Sequence, residues 1–133
     1  MLNSGMAADR SMPILVVDDH RTMQAIVAKQ LRDLGFRDID TTDDPVSALT
    51  MMRQRRYRLI LSDWNMEPMS GIVFLETLRR DPLYAATPFI LVTAENRPEN
   101  VLAARQLGVD GYLVKPFDLA GLRAKLTAVL GPM

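Results

Sequence analysis

The sequence lacks cysteine entirely and has only one histidine and one tryptophan among its 133 residues. Without cysteine, a disulfide framework and a thiolate metal site are both excluded. The sequence also has no excess of charge of either sign, because sixteen acidic side chains balance sixteen basic ones. A formal net charge of zero gives no overall electrostatic attraction to DNA or to an anionic membrane. We therefore expect neither a nucleic acid nor a membrane among the partners.

Long hydrophobic segments are absent too. No run approaches the roughly 18 apolar residues of a membrane span, and the N-terminus, MLNSGMAADRS, lacks the basic and apolar segments of a secretion signal. We expect a cytoplasmic, monomeric protein. Residues 1–11 are predicted to form a flexible tail, and residues 12–131 are predicted to form one domain.

Short apolar runs alternate with amphipathic helical patterns along this chain. Near-continuous hydrophobicity over about four residues is typical of parallel strands that are covered on both faces. Four runs are clear and a fifth, near residues 37–41, is weaker; the clear ones are residues 14–17, 59–61, 89–92 and 112–114. Five strand–helix units predict an α/β fold with a doubly wound parallel sheet and right-handed crossovers.

The helical stretches carry recognisable start and stop signals. Asp44 followed by Pro45 indicates an N-cap and a first helical position, so a second helix is expected from residue 45. Gly35 and Gly108 indicate where the first and fourth helices end. The predicted helices cover residues 23–34, 71–80, 98–107 and 119–130 in addition to the one that begins at residue 45.

Chemically active side chains follow the predicted strands. Asp18 and Asp19 follow the first strand, Asp63 follows the third, and Thr93 and Lys115 follow the last two. Ligands of a doubly wound sheet bind beyond the carboxyl ends of its strands, so we expect these groups to meet. Clustered carboxylates repel one another unless a cation lies between them, and Mg²⁺ prefers oxygen ligands. A carboxylate can also be a nucleophile toward phosphorus, and an ammonium and a hydroxyl suit the transferred group.

Four motifs in order resemble the receiver domains of two-component response regulators, and within that family the single-domain, CheY-like chemotaxis regulators. The motifs are Asp18-Asp19, Ser62-Asp63-Trp64-Asn65-Met66, Val92-Thr93-Ala94-Glu95 and Gly111-Tyr112-Leu113-Val114-Lys115-Pro116-Phe117. The resemblance covers about residues 12–131. It implies a flavodoxin-like sheet with strand order 2-1-3-4-5, and a switch that accepts a phosphoryl group from a sensor histidine kinase.

The resemblance also implies roles in phosphoryl transfer. Asp63 is expected to be the phosphoacceptor, with Thr93 and Lys115 binding the transferred group. Pro116 is expected to follow a cis peptide bond that aims the lysine. The expected Mg²⁺ ligands are the carboxylates of Asp19 and Asp63, the backbone carbonyl of Asn65 and, mainly through water, Asp18.

Switching and signal decay are implied in the same way. Thr93 and Tyr112 are expected to form the switch pair. The partner face is expected to be the fourth helix, fifth strand and last helix, with Arg97, Tyr112 and Lys125. Three further residues are expected to flank the path of attacking water and to tune dephosphorylation, namely Asn65, Ala94 and Glu95.

The downstream target is left open by the sequence. A flagellar motor switch protein is the first expectation. A phosphate sink or shuttle that passes the group to a phosphotransferase, or a regulator of another kinase, is the alternative. The protein is expected to catalyse only its own phosphoryl acceptance and autodephosphorylation, and so not to act as an enzyme on other substrates.

Three rival classes are disfavoured by particular residues. A phosphatase with an aspartate nucleophile carries a second acid two residues later, where this chain has Asn65. A flavin-binding protein of similar topology needs a Ser/Thr/Gly-rich loop, where this chain has Asp18-Asp19. A degenerate receiver that acts only in docking would lack part of the acid site, and every member is present here.

Several nearby features have simpler interpretations. Trp64 is expected to be a partly exposed ring beside the site, and His20 to begin the first helix rather than to ligate a metal. The basic residues in 53–58 suit the negative end of a helix dipole better than a nucleic acid. One departure from the family concerns Met66-Glu67-Pro68-Met69, where the proline comes one position late and an acid takes its usual place. This departure leaves open the path of the loop after Asp63 and the approach of a kinase, but it does not change the acid pocket.

Overall fold

The computed structural model describes residues 9–133, and strand and helix alternate strictly along them. Residues 1–8 of the predicted tail lie outside the described residues. The strands are β1 (Ile14–Val17), β2 (Ile39–Thr42), β3 (Leu59–Ser62), β4 (Phe89–Thr93) and β5 (Gly111–Val114). The helices are α1 (Arg21–Asp33), α2 (Pro45–Gln54), α3 (Gly71–Arg80), α4 (Pro98–Gln106) and α5 (Leu119–Leu130).

The five strands form one parallel sheet in the order β2-β1-β3-β4-β5, which confirms the predicted topology. Ile14 of β1 lies opposite Ile39 of β2 on one side and Leu59 of β3 on the other. β1 is therefore a central strand, and its neighbour β3 runs in register with it. The carboxyl ends of these two strands consequently meet at the same edge of the sheet.

Two apolar layers cover the sheet and explain the continuous hydrophobicity of its strands. Alternate side chains of β1 point to opposite faces, so Ile14 and Val16 belong to one layer and Leu15 and Val17 to the other. The first layer is completed mainly by α1 and α5, and the second by α2, α3 and Ala104 of α4. Burying each large aliphatic side chain contributes about 1.5–3 kcal/mol, so these layers supply most of the driving force for folding.

The predicted helix boundaries correspond to local hydrogen bonds. The Asp44 side chain accepts a hydrogen bond from the Ser47 amide at 2.8 Å, with Pro45 at the first helical position. Gly35 and Gly108 follow α1 and α4 with φ of 100° and 87°, a left-handed conformation that glycine adopts without a steric penalty. Asp118 caps α5 in the same way as Asp44, by accepting from Gly121 at 2.8 Å.

The weakest predicted strand is also the one whose position differs most. The run near residues 37–41 forms β2 at Ile39–Thr42. β2 is an edge strand whose side chains are half-buried or, at Thr41, exposed, so its sequence pattern is less apolar than that of the central strands. Before it, the Arg37 amide donates to the carbonyl of Arg10, and the Arg10 guanidinium lies 5.3 Å from the centre of the Phe36 ring. Residues 9–11 of the predicted tail thus contact the domain.

Among the described residues, none of the helices has the length and apolar character that crossing a bilayer requires.

Candidate functional site

The acidic residues predicted to converge do lie together at the carboxyl edge of the sheet. Asp18 and Asp19 follow β1, and Asp63 follows β3, whose Ser62 is paired with Val17. One ligand atom from each of these three carboxylates and one from His20 all lie within 4.8 Å of one another. Parallel pairing of two neighbouring strands therefore builds the cluster from residues more than forty positions apart.

Two of the carboxylates are buried and share one cation. The side chains of Asp18 and Asp63 are each 5% exposed, whereas that of Asp19 is 38% exposed. The Lys115 ammonium lies 3.2 Å from Asp18 Oδ2 and 3.5 Å from Asp63 Oδ1. Burial raises the pKa of Asp63, the Lys115 charge lowers it, and the charge of Asp18 raises it further. Desolvation prevails, as expected for a carboxylate removed from water.

The charge and donor types of the cluster suit a hard dication. Three carboxylates face a single ammonium, so the pocket has excess negative charge that a dication would neutralise. Most donor atoms are carboxylate oxygens, the ligands that Mg²⁺ prefers. The cluster is therefore able to bind a metal ion.

Lys115 reaches the pocket because β5 ends beside β4. Its amide donates to the carbonyl of Thr93 at 2.8 Å, and the Lys115–Pro116 peptide bond is cis, as expected. The side chain then extends back over the carboxyl ends of the strands to Asp18 and Asp63. The ends of β1, β3 and β5 thus contribute to one site.

The loop after Asp63 forms one wall of the pocket. A cavity of about 370 Å³ is lined by Asp19, Trp64, Asn65, Met66, Glu67 and Ser70. Asn65 and Asp19 therefore line the same cavity. Glu67, the acid in the unusual position, faces the same cavity, and the Glu67–Pro68 peptide bond is cis, a feature that the sequence analysis did not anticipate.

Gln24 is a site residue that the sequence analysis missed. Its buried side-chain amide donates to the carbonyl of Asp18 at 2.7 Å, to the carbonyl of Thr42 at 3.2 Å and to Asp43 Oδ1 at 2.7 Å. It therefore ties α1 to the ends of β1 and β2 and positions the backbone of the acid pair. The sequence does contain one indication of this role. Gln24 is a polar residue in the same helical stripe as the buried Val27, where an apolar residue would be expected.

Gly71 is a second residue whose importance was not predicted. Its amide donates to the Trp64 carbonyl at 2.8 Å, which brings the start of α3 against the loop. A Cβ atom at Gly71 would overlap the carbonyl oxygen of Asp63 and lie 3.0 Å from Trp64 Cα. Only glycine permits this close approach, which holds the backbone that follows Asp63. Asp63 itself accepts a hydrogen bond from the Trp64 amide at 2.8 Å.

The predicted switch residues are linked through Glu95. Thr93 is fully buried at the end of β4, and its hydroxyl accepts a hydrogen bond from the Glu95 amide at 3.2 Å. The Tyr112 hydroxyl donates to the Glu95 carbonyl at 2.6 Å. The Tyr112 ring also meets Trp64 edge to face, with centroids 6.4 Å apart. Thr93 and Tyr112 are therefore connected to each other by one peptide segment that includes Ala94, and Trp64 connects Tyr112 to the acid loop.

The predicted partner face contains a groove. A cavity of about 300 Å³ between α4, β5 and α5 is lined by residues that include Tyr112 and Lys125. Arg97, the N-cap of α4, pairs with Glu95 through Nε at 3.0 Å and Nη2 at 3.2 Å. Hydrogen bonds from Arg97 and, secondly, from Asn100 lower the pKa of Glu95 to about 2. The face and the switch residues are therefore continuous.

The remaining predictions around the site concern Trp64, His20 and the basic segment. Trp64 is half-buried beside the pocket, as expected. His20 is the N-cap of α1, and its ring nitrogen also faces the acid pair. Residues 53–58 lie at the C-terminus of α2, away from the pocket, where Arg55 pairs with Asp38 and Asp40.

Comparisons with known proteins point to one family. The family model of the response regulator receiver domain matches residues 14–127. Chemotaxis protein CheY-3 of Vibrio cholerae is 41% identical over 121 residues, covering 91% of this chain and 93% of that protein. The structure of chemotaxis protein CheY4 of Vibrio cholerae superposes with a TM-score of 0.83 at 33% identity, covering 90% and 99% of the two chains. A third structure is the receiver domain of a sensor histidine kinase from Pseudomonas aeruginosa, solved with a magnesium ion in its active site cleft. It superposes with a TM-score of 0.80 at 28% identity, covering 91% of this chain and 98% of that one.

Proposed function

Because this chain belongs to the response regulator receiver domain family, we propose that it accepts a phosphoryl group on Asp63 and relays a chemotaxis signal by docking to a partner. The observation that carries the proposal is the convergence of Asp63, Asp18 and Lys115, with the buried Asp63 carboxylate 3.5 Å from the lysine ammonium. A carboxylate in this setting is available as a nucleophile, and a cation is already beside it to receive negative charge.

The transfer step uses the chain's own groups directly. An oxygen of Asp63 forms a bond to the donor's phosphorus while the bond between phosphorus and the donor's leaving atom breaks, and the leaving group keeps that electron pair. Lys115 neutralises a phosphoryl oxygen, and the Thr93 hydroxyl at the end of the neighbouring strand binds another. Burial favours this reaction because a poorly solvated carboxylate is a better nucleophile and few waters compete with it.

Mg²⁺ is the proposed cofactor, held by Asp19, Asp63 and the backbone carbonyl of Asn65, with Asp18 acting mainly through water. When bound, it neutralises charge on the acids and on the phosphoryl oxygens. The excess of carboxylates over cations supports this assignment. The magnesium ion in the related receiver domain from Pseudomonas aeruginosa supports it independently.

Receiver domains work with histidine kinases and downstream targets, and the finer assignments here are proposals. We take the phosphodonor to be a sensor histidine kinase and the target to be a flagellar motor switch protein, supported by the chemotaxis relatives. A phosphate sink or a shuttle to a phosphotransferase is the alternative. The protein acts in the cytoplasm as a monomer, and its only catalysis is of its own phosphorylation and dephosphorylation.

Binding of a phosphoryl analogue tests the proposal. Beryllofluoride should change the fluorescence of Trp64, which adjoins Asp63, and should do so only with Mg²⁺ present. The beryllofluoride-bound form should then retain a flagellar motor switch protein in a pull-down, while the free form does not. Analogue binding without Mg²⁺ would contradict the phosphotransfer mechanism. Analogue binding without motor-protein retention would favour the sink or shuttle.

A further inference from the structure

His20, the only histidine of the chain, directs a ring nitrogen into the acid pair. Its Nδ1 lies 2.9 Å from Asp19 Oδ1 and 3.3 Å from Asp18 Oδ1. His20 is the N-cap of α1, its backbone amide donates to Asp18 Oδ1 at 2.9 Å, and its ring Nδ1 faces the same carboxylate oxygen. The side chain is 71% exposed, so it is free to turn elsewhere.

These distances match the edges of a metal coordination polyhedron. In an octahedron with bonds of about 2.1 Å, adjacent ligand atoms are about 3.0 Å apart and opposite ones about 4.2 Å apart. The separations of His20 Nδ1 from the two carboxylates, 2.9 and 3.3 Å, are those of adjacent ligands. The full set of Asp18, Asp19, His20 and Asp63 lies within 4.8 Å, so small side-chain rotations bring all four atoms onto one ion.

We propose that His20 is a nitrogen ligand in this pocket and that the site therefore binds a divalent transition metal ion, such as Co²⁺ or Zn²⁺, more tightly than it binds Mg²⁺. Imidazole is a good ligand for these ions, whereas Mg²⁺ prefers oxygen and keeps its waters. The neutral imidazole, with its proton on Nε2, offers the Nδ1 lone pair to the metal. This proposal rests on the acid pocket of the proposed function and adds a selectivity to it.

Metal titration by calorimetry tests the role of His20. The untagged protein and its His20→Gln variant are titrated separately with Co²⁺ and with Mg²⁺. Loss of one good ligand should weaken Co²⁺ binding at least tenfold, while Mg²⁺ binding changes less than twofold. A Thr22→Gln variant, altered at an exposed position in the same helical turn, should bind both ions as the native chain does. A Co²⁺ loss below tenfold, or an equal loss for Mg²⁺, would overturn the proposal.

The imidazole signals supply a direct readout that stability does not affect. Because the sequence has one histidine, the ¹⁵N signals of its ring are assigned without ambiguity. On addition of Zn²⁺, the Nδ1 signal should move and the Nε2 signal should keep the character of a protonated nitrogen. Zn²⁺ binding with an unmoved Nδ1 signal would refute ligation by His20.

The two proposals fail separately in these experiments. If the native chain and His20→Gln bind Co²⁺ equally well and Mg²⁺ binding is intact, His20 is not a ligand. The proposed phosphoacceptor site is unaffected by that result. Absence of Mg²⁺ binding in the native chain would instead count against the proposed phosphoacceptor site. An Asp19→Asn variant, which lacks a carboxylate common to both, should bind both metals more weakly.

Discussion

Asp63 is a carboxylate held where its charge is unfavourable. Burial raises its pKa above the value of the unfolded chain, and Lys115 only partly opposes this effect. A raised carboxylate pKa means that the folded state binds protons more strongly than the unfolded state, so ionisation of Asp63 reduces stability once the pH exceeds the unfolded pKa. That penalty disappears as the pH falls below the unfolded pKa. The buried position of Asp63 therefore reduces stability, and we explain it by the proposed role of this carboxylate as a phosphoacceptor.

We predict that Asp63→Asn abolishes phosphorylation by a histidine kinase or by acetyl phosphate. The variant should also be more stable by about 1 kcal/mol at pH 7, because an unfavourable buried charge is removed while Lys115 keeps Asp18 as a partner. The gain should shrink as the pH is lowered toward 4. Radiolabelling and thermal unfolding across pH measure the two effects.

The matched control for this substitution is Asp33→Asn, which changes an exposed carboxylate on α1. It should be labelled as fast as the native chain. Undiminished labelling of Asp63→Asn would move the phosphoacceptor to another residue.

Asp19 is the most exposed of the three acids, and we predict that it governs the response of stability to Mg²⁺. An ion that binds only the folded state stabilises it by mass action, by about 1.4 kcal/mol at tenfold its dissociation constant. Millimolar Mg²⁺ should therefore raise the Tm of the native chain, and Asp19→Ala should lose most of that rise. Glu76→Ala, which removes a carboxylate on α3, should keep it. An unchanged Tm of the native chain would argue against the metal site.

At the scale of elements, the contact between α3 and the Asp63 loop depends on a single missing side chain. We predict that Gly71→Ala destabilises the protein by about 2–4 kcal/mol, because its Cβ would overlap the Asp63 carbonyl oxygen. It should also weaken Mg²⁺ binding, since that backbone leads to Asn65. Denaturant unfolding and metal titration measure these losses.

Gly121→Ala is the control for this prediction. Gly121 also lies in the first turn of a helix, α5, but a Cβ there would meet the Asp118 side chain at 3.2 Å and the Phe117 Cβ at an ordinary 3.8 Å, with no backbone atom among these contacts. The improved helix propensity of alanine should offset that contact, so stability should change by less than about 1 kcal/mol. Equal effects of the two substitutions would show that the close approach at Gly71 is unimportant.

The surface formed by α4, β5 and α5 is the predicted partner face. Thr93 accepts a hydrogen bond from the Glu95 amide, and Tyr112 donates one to the Glu95 carbonyl. Inward movement of the Thr93 hydroxyl toward a phosphoryl group should therefore change the hydrogen bond that holds the Tyr112 side chain. We predict that a downstream partner distinguishes the phosphorylated form on this surface, with amide shifts at Arg97, Tyr112 and Lys125. Shifts centred on residues 53–58 would contradict this assignment.

The lifetime of the phosphorylated state is a property of the whole molecule. By their resemblance to receiver domains, we expect the polar Asn65 and Glu95 to flank the path of attacking water and the small Ala94 to leave the entrance open. We predict spontaneous loss of phosphate within seconds to a few minutes, because polar groups orient water for in-line attack. Decay of radiolabelled protein after removal of the donor, with Mg²⁺ present, gives the rate.

Substitutions at the same places should lengthen that lifetime. Asn65→Leu or Glu95→Leu should slow the decay, and Arg80→Leu, at an exposed position on α3, should leave it unchanged. A half-life of hours in the native chain would favour a slower signalling role than control of a motor.

The alternation of apolar runs with helical patterns was sufficient to predict a doubly wound parallel sheet, whereas the strand order was implied only by the resemblance to receiver domains. Strands such as 14–17 and 59–62 are buried on both faces, so their hydrophobicity is continuous and easily recognised. Asp44-Pro45, Gly35 and Gly108 indicated helix boundaries because capping is a local interaction. The edge strand β2 was the least well placed, since half-buried residues follow no strong pattern.

The sequence by itself determined which residues meet at the site, because parallel strands bring their carboxyl ends to one edge, and Asp18, Asp63 and Lys115 each follow a strand. Only the tertiary structure decided the functions that depend on distances across the chain. Gln24 reaches three acceptors on two separate segments, Gly71 admits the Asp63 carbonyl, and the His20 ring faces the acid pair. These contacts depend on the direction in which a side chain points and on how closely separate segments approach, and hydrophobic periodicity specifies neither.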